Sequence, residues 1–157
     1  MFVLGRAGTT ASPLARVSAI RTGRCGTDPG EFDAEAEARW IQETLERDGV
    51  SARDVDMLLT GANGWPPLDQ MYRRVAEALS RRAGRRIAGG AYKQCCGEHH
   101  SASAFGFFTA IGLVRGEIAP AHCTGAADGL PVSGPCRTVV LYTLSPTGTK
   151  GMCCVCA

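Results

Sequence analysis

The sequence contains no long hydrophobic run, and this absence argues against a transmembrane segment. Its longest apolar stretch, Phe105 to Val114, is interrupted by glycine and is followed by Arg115, whereas a helix needs about 18 apolar residues to cross a bilayer. Met1 to Leu4 is too short for the hydrophobic region of a secretory signal and follows no basic segment. We therefore predict a cytoplasmic protein that has reduced thiols and no membrane partner.

A large charge of one sign is also missing. The 17 Lys and Arg residues and the 15 Asp and Glu residues leave a net charge of +2. The main basic cluster, Arg81, Arg82, Arg85 and Arg86, lies at a predicted helix end, where the helix dipole favours cations. We interpret the cluster as a solvated helix end, and we predict no nucleic-acid partner.

Eight cysteines are present, but they do not have the spacing typical of zinc ligands. Cys95 and Cys96 are adjacent, as are Cys153 and Cys154, and adjacent pairs rarely chelate one metal ion. The Cys154-x-Cys156 pattern lacks the two-residue spacer of zinc knuckles. We therefore interpret Cys153, Cys154 and Cys156 as small apolar side chains buried in the core.

The stretch from Lys93 to Gly106 concentrates the polar residues that could do chemistry. A strand-like run precedes it and an apolar helix pattern follows it, so it lies on a strand-to-helix turn, where α/β folds place their sites. One hypothesis is a metal site made by Cys95, Cys96, His99 and His100. The plainer interpretation is that the two histidines are polar residues at the start of a helix.

Hydrophobic periodicity predicts one α/β domain, a size that 157 residues fit. Strands alternate with helices, which indicates a mixed, mainly parallel sheet of five strands, and the last two strands form a hairpin that adds an antiparallel strand at the edge. Asp33 is a predicted helix N-cap, and Gly84 a predicted helix stop. The predicted strands are 14–20, 55–59, 87–93, 138–144 and 152–156, the helices 33–48, 66 or 67 to 84, and 101–115, and the loops 21–30 and 117–134.

The first and third predicted helices differ in pattern. In the first, Ala34, Ala38, Ile41 and Leu45 form one apolar stripe, and the glutamates, Glu37 among them, are interpreted as lying off it. The third is apolar on all sides, and its remaining positions are small residues. A helix with this composition is expected to be buried on all sides.

Two segments of the chain, read in order, resemble a known family. The first is Val55–Gly64, followed by Asp69, and the second has Lys93, then Gly97, then the small-residue run Ser101–Ala104. They resemble two segments of the β-ketoacyl synthases, which are condensing enzymes of the thiolase fold. These are the strand that ends in His-Gly-Thr-Gly-Thr with an Asp after it, and the Lys-x-x-x-Gly-His segment before a central helix.

Two further segments extend the resemblance over nearly the whole chain. Arg115–Pro120 resembles the family's exit from that helix, and Leu144–Lys150 resembles its Gly-Gly-Thr-Asn turn between the last two strands. The resemblance implies the C-terminal half of a thiolase fold over residues 13–157, with residues 1–12 as the last strand of the preceding half and a linker. In that fold the central helix lies between two sheets, so one half alone would expose an apolar face to water.

The resemblance also assigns catalytic positions, and most of them are altered. The family's nucleophilic cysteine belongs to the other half, so none of the eight cysteines here matches it. The lysine is matched by Lys93, and the first catalytic histidine falls at Thr60. The second histidine falls at Glu98 in the ungapped alignment, which we favour because it keeps the neighbouring residues in register; a one-residue insertion would place His99 there instead. A carboxylate at that position would repel a developing enolate.

Three functional hypotheses follow. The first is a non-catalytic ketosynthase-like subunit or fragment of fatty acid, polyketide or aryl-polyene biosynthesis, similar to a chain-length factor. Its partners would be an acyl carrier protein and a catalytic ketosynthase or the missing N-terminal half, in an oligomer, with no cofactor. The second is an active half that supplies Lys93 and His99 to a split decarboxylating acyltransferase. The third is a metal-binding α/β module.

Overall fold

The computed structural model describes residues 5, 6, 8, 12–26, 28, 30–124 and 134–157, and these form a five-stranded sheet with helices on both faces. The predicted strand remnant at Met1–Leu4 and residues 125–133 of the predicted loop lie outside the described residues. The strands are β1 (Arg16–Arg24), β2 (Met57–Thr60), β3 (Ala88–Ala91), β4 (Thr138–Leu144) and β5 (Thr149–Cys156), and the helices are α1 (Ala34–Arg47), α2 (Pro66–Ala83), α3 (Lys93–Cys96) and α4 (Ala102–Val114).

The strand order is β1-β5-β4-β2-β3, and the sheet is mixed and mainly parallel, as predicted. β2 runs parallel to β3 and β4, whereas β5 runs antiparallel to both β1 and β4. The prediction that the antiparallel strand lies at the edge is wrong, because β1 pairs with β5 from Arg16 opposite Cys156 to Arg24 opposite Thr149. The predicted loop therefore begins only after Arg24, since pairing with β5 overrides the turn-forming residues there.

Local signals set the limits of the first two helices. The Asp33 carboxylate accepts a hydrogen bond from the Ala36 N–H at 3.0 Å and caps α1. α2 begins at Pro66 and ends at Gly84, whose φ of +66° is in the left-handed region that favours glycine. The short helix α3 was not predicted, and it begins at Lys93, where the strand was expected to continue.

Two apolar cores form, one on each face of the sheet. Helices α1 and α2 cover one face, and α4 packs on the other, against β2, β4 and β5. Cys153, Cys154 and Cys156 are buried as predicted, and burial raises the pKa of the Cys153 thiol to about 11. Within the described part of the chain, no helix is long and apolar enough to cross a bilayer.

Helix α4 is not covered on all sides. Its Gly106, Ala110 and Leu113 side is buried against the sheet, but Phe105 and Phe108 are 52% and 58% exposed. The prediction of a fully buried helix is therefore wrong for this chain, because the sheet covers only one side of it. The exposed apolar face that was expected of one half of the fold is present.

Candidate functional site

The polar residues of the Lys93–Gly106 stretch gather where β2 and β3 end. Thr60, the last residue of β2, lies opposite Ala91 of β3, and Lys93 follows two residues later. Beside them is an open cavity with a volume of about 760 Å³. Its lining combines the start of α4 with the β4–β5 turn, and consists of Thr22, Lys93, Glu98, His99, His100, Ala102, Ser103, Thr143, Leu144, Ser145, Pro146, Thr149, Lys150 and Gly151.

Lys93 forms an ion pair with Glu98 at the wall of this cavity. The lysine side chain is only 9% exposed, and its Nζ lies 2.7 and 2.8 Å from the two carboxylate oxygens of Glu98. The Asn63 side-chain N–H donates to the same carboxylate at 3.0 Å. The hydrogen bond from Lys93, with help from Asn63, lowers the pKa of Glu98 below its usual value. Glu98 is therefore a carboxylate at neutral pH, and the positive charge of Lys93 is balanced within the protein.

The turn after β2 holds Asn63 in place. The Asp69 carboxylate, in the first turn of α2, accepts hydrogen bonds from the backbone N–H groups of Asn63 and Gly64 at 3.0 and 3.1 Å. The Trp65 N–H in turn donates to the Asn63 side-chain oxygen at 3.0 Å. Two of these bonds fix the backbone of the turn and the third fixes the side-chain oxygen of Asn63, so its side-chain NH₂ group is directed at Glu98. The Asp that the resemblance singled out thus supports the Lys93–Glu98 pair indirectly.

Thr60 does not face the cavity. Its side chain is buried, and its hydroxyl donates to the Gly90 carbonyl at 2.9 Å. It lines a separate groove between α2 and β3 instead. The hydroxyl at the family's first histidine position is therefore engaged in joining β2 to β3.

His99 lines the cavity but contacts other groups than Lys93. Its Nδ1 lies 3.1 Å from the Ser101 hydroxyl, and its ring meets Phe105 edge to face at 5.9 Å between centroids. Both His99 and His100 are exposed. The structure thus brings Glu98, not His99, to the lysine.

The hypothetical metal ligands do not converge. The Cys95 thiol points to the His122 carbonyl at 3.8 Å, and the Cys96 thiol points to the Gly97 carbonyl at 3.5 Å. Among the residues that the structure describes, no group of three or more His, Cys, Asp or Glu side chains could hold a metal ion. This geometry gives no support to a metal centre at Cys95, Cys96, His99 and His100.

Two tyrosines behind the site were missed by the sequence analysis. The Tyr72 hydroxyl accepts a hydrogen bond from the Leu144 N–H at 2.8 Å. Tyr92 is buried, and its hydroxyl has no hydrogen-bond partner among the described residues. Burial raises the pKa of the Tyr92 hydroxyl, and the nearby Ser103 side chain partly offsets this rise. The Tyr92 and Ser103 side chains do not meet the geometric criteria for a hydrogen bond. A Cβ atom at Gly61 would meet Tyr72 Oη at 2.9 Å, Lys93 Cε at 3.2 Å and Tyr92 Oη at 3.4 Å, so a larger residue there would fit only if these side chains shift.

A buried ion pair beneath the cavity was also missed. Lys150 Nζ lies 2.7 and 2.8 Å from the carboxylate oxygens of Glu37, and the Tyr142 hydroxyl donates to Glu37 at 2.8 Å. Lys150 also lies over the Trp40 ring, 4.4 Å from its centroid. The interpretation of Glu37 as off the apolar stripe of α1 is wrong. A signal was available, because Glu37 lies three residues after Ala34 and four before Ile41, and so on the stripe itself.

Comparisons with known proteins agree with this geometry at the level of the fold. No model of a protein family matches the sequence, and no curated protein matches it. Solved ketosynthases do match the structure. The fold is that of one half of a ketosynthase. The oxazolomycin ketosynthase domain of Streptomyces albus JA3453 matches with a TM-score of 0.64 at 16% identity, over 92% of this chain and 45% of that one.

Two further structures extend the comparison. A type II polyketide ketosynthase, solved in complex with its acyl-carrier protein, matches with a TM-score of 0.71 at 13% identity, over 92% of this chain and 38% of that one. A bacillaene synthase ketosynthase of Bacillus amyloliquefaciens FZB42 matches with a TM-score of 0.64 at 15% identity, over 90% of this chain and 29% of that one. The chain thus spans less than half the length of these ketosynthases. Identities this low establish a shared fold and carry no statement about the reaction.

Proposed function

We propose that this chain is a non-catalytic ketosynthase-like protein that holds an acyl chain or its carrier beside a catalytic partner, in the manner of a chain-length factor. One observation carries the proposal: neither position that resembles a catalytic histidine offers a free hydrogen-bond donor to the cavity. The Thr60 hydroxyl is engaged by Gly90, and Glu98 is a carboxylate engaged by Lys93. The proposed setting is cytoplasmic biosynthesis of a polyketide, a fatty acid or an aryl polyene.

Charge at the site argues against decarboxylation. Loss of carbon dioxide from a malonyl group produces an enolate, and such an enzyme needs preorganised donors at the oxygen where the negative charge develops. Lys93 alone could supply such a hydrogen-bond donor, but its ammonium group contacts both carboxylate oxygens of Glu98. A substrate oxyanion would have to compete with that carboxylate for Lys93 and would be repelled by it.

The cavity itself supports binding. Its volume of about 760 Å³ is in the range of roughly 300–1,000 Å³ that is usual for small-molecule sites. Ser103, Thr143 and Thr149 are among its lining residues, and hydroxyl side chains suit the amide and carbonyl groups of a pantetheine arm. A structural neighbour is a ketosynthase in complex with its acyl-carrier protein, which supports a carrier as the partner proposed here.

A direct binding measurement tests this proposal. We expect an acyl-pantetheine probe to bind the purified protein, as followed by calorimetry. Ser103→Phe places a ring in the cavity and is expected to weaken binding at least tenfold. Ala104→Phe is the matched control, since Ala104 is exposed on the same turn of α4 but does not line the cavity. Equal loss in both variants, or no binding by the wild-type protein, would refute the assignment of the cavity.

The split acyltransferase is the second candidate, and one observation favours it: His99 and Lys93 line the same cavity. It requires His99 to leave Ser101 and face the substrate. Under this hypothesis, His99→Ala would abolish turnover when a ketosynthase N-terminal half is supplied, whereas Glu98→Gln would preserve it. The non-catalytic proposal predicts no turnover by the wild-type protein, by His99→Ala or by Glu98→Gln.

A further inference from the structure

Two cysteine side chains of β5 meet inside the core that lies under α1 and α2. Cys154 and Cys156 are two residues apart on a strand, so both point to the same face of the sheet. Their Sγ atoms lie 3.8 Å apart, and the two residues are 0% and 7% exposed. Neither residue lines the cavity beside Lys93, and the chain's own helices cover this face of the sheet. The thiol pair is therefore a feature separate from the candidate site.

The distance between the two sulfur atoms suits a shared metal ion better than a disulfide. Two thiolates 3.8 Å apart that each lie about 2.3 Å from one ion would enclose an angle of roughly 110° at that ion. A disulfide needs its sulfur atoms about 2.05 Å apart and its Cα atoms within about 6.8 Å. Residues two apart on an extended strand have Cα atoms about 6.7 Å apart, at the limit of that range. The strand thus favours a bridging ion.

A hydroxyl group supports the pair from the neighbouring strand. Val17 lies opposite Val155 and Ala19 opposite Cys154, so a bulge leaves Ser18 without an opposite residue. The Ser18 hydroxyl donates to Cys156 Sγ at 3.1 Å. A hydrogen bond of this kind stabilises a thiolate and fixes its position, as the partners behind metal ligands do. Ser18 is half-buried and β1 is an edge strand, so an ion has a short path to the sulfurs from this side.

The charge around the thiols also suits a cation that displaces protons. Burial and the neighbouring Cys156 raise the pKa of the Cys154 thiol, and Arg16 partly offsets this rise. Cys154 is therefore a protonated thiol at neutral pH and a poor nucleophile. A monovalent ion held by two thiolates leaves one negative charge, and Arg16, which lies opposite Cys156 in β1, supplies a positive charge near it.

We propose that Cys154 and Cys156 form a binding site for a soft monovalent metal ion, Cu(I). Thiolates are soft ligands that select Cu(I), whereas Zn²⁺ in structural sites takes four ligands. Among the residues that the structure describes, no third His, Cys, Asp or Glu side chain completes a metal-binding group with them. Met152, two residues earlier on the same face of β5, adds a soft thioether to the same core. Two S–H groups lose their protons to solvent and two S–Cu bonds form, with no change in the oxidation state of copper or sulfur.

Anaerobic competition with a chromophoric Cu(I) chelator tests the proposal. The wild-type chain, titrated with the acetonitrile complex of Cu(I), is expected to bind one ion per chain. Cys154→Ala and Cys156→Ala each remove a ligand, and each is expected to cost more than the roughly 100-fold in affinity that an outer partner of a ligand can contribute. Cys153→Ala is the matched control. Cys153 is also buried in β5 but belongs to the core under α4, so this variant is expected to bind Cu(I) as the wild type does.

Two further variants keep the test decisive if a core variant fails to fold, which circular dichroism detects. Ser18→Ala retains both thiols, and it is expected to weaken Cu(I) binding about tenfold through the lost hydrogen bond. Cys95→Ser combined with Cys96→Ser removes the more exposed adjacent pair and is expected to retain the ion.

The proposal is overturned if the wild type binds no Cu(I), if the Cys153→Ala variant loses the ion as Cys154→Ala does, or if only loss of Cys95 and Cys96 abolishes binding. An unchanged affinity in Ser18→Ala overturns the role given to its hydroxyl. These measurements use no acyl ligand, so their outcome is independent of the proposed function of the cavity.

Discussion

The buried pair of Glu37 and Lys150 makes the sharpest prediction about stability. Each side chain is only 8% exposed, and the pair joins α1 to the start of β5, whose residues line the cavity. We consider Lys150→Met, which keeps the aliphatic stem that packs over Gly23 and removes the charge. Among the residues that the structure describes, the Glu37 carboxylate then retains only the hydrogen bond from Tyr142, and its negative charge loses the buried counter-ion Lys150.

The expected loss is large because the charge left behind is desolvated. Removing one member of a buried ion pair costs about 3–5 kcal/mol of the free energy of unfolding. For a chain of this size that loss lowers the melting temperature by about 6–20 °C. Adding Glu37→Leu to Lys150→Met removes the stranded charge, so the double variant is expected to be more stable than Lys150→Met alone. A deficit of about 1–3 kcal/mol remains, since Tyr142 loses its acceptor.

Urea denaturation followed by circular dichroism measures these free energies. Arg81→Met is the matched control, because Arg81 pairs with Glu35 on the surface, with side chains that are mostly exposed, and such pairs contribute less than about 1 kcal/mol. If Lys150→Met costs no more than Arg81→Met, or if the double variant is no more stable than Lys150→Met, the inference of a desolvated pair is refuted.

Three further perturbations probe the site. Tyr92→Phe removes a buried hydroxyl that has no hydrogen-bond partner among the described residues, and it is expected to raise the free energy of unfolding by about 1 kcal/mol. Tyr72→Phe loses its hydrogen bond to Leu144 and is expected to lower the free energy of unfolding by a similar amount. A loss of stability in Tyr92→Phe would contradict this reasoning. Gly61→Ala is expected to cost about 1–3 kcal/mol by overpacking against Tyr72, and a neutral effect in urea denaturation would show that the tyrosines yield. Because the pKa of Glu98 is lowered in the folded state, its contribution is present at neutral pH and is lost as pH falls below its ordinary value of 4.5. Glu98→Gln should therefore flatten the acid limb of the stability profile, by under about 1 kcal/mol since the carboxylate is 55% exposed, and an unchanged limb would argue against the pair with Lys93.

Elements governed by neighbouring residues could be predicted from the sequence. The cap at Asp33, the start at Pro66 and the stop at Gly84 each depend on a few adjacent positions, and all three are observed. The alternation of strands and helices likewise predicted a mainly parallel sheet. The extension of β1 to Arg24 was not predictable in this way, because it depends on pairing with β5, more than a hundred residues away.

Long-range contacts also explain what was missed at the site. Glu37 meets Lys150 across 113 positions of sequence, and Tyr72 meets Leu144 across 72. Lys93 could be singled out by resemblance, and its proximity to Glu98 follows from the short helix α3 that separates them. Sequence spacing could not show that the Glu98 side chain contacts Lys93 while the His99 side chain contacts Ser101. The position of Glu98 depends on its hydrogen bond from Asn63, which Asp69 holds in place from a different part of the chain.

Release of carbon dioxide from a malonyl-carrier protein tests the central claim most directly. The assay is run with the purified protein alone and with a supplied ketosynthase N-terminal half, and a complete catalytic ketosynthase serves as the positive control. The proposal predicts no release above background by the wild-type protein in either condition, since Thr60 and Glu98 offer no donor to the enolate. Turnover by the wild-type protein that His99→Ala abolishes would contradict it and would establish His99 as the working residue.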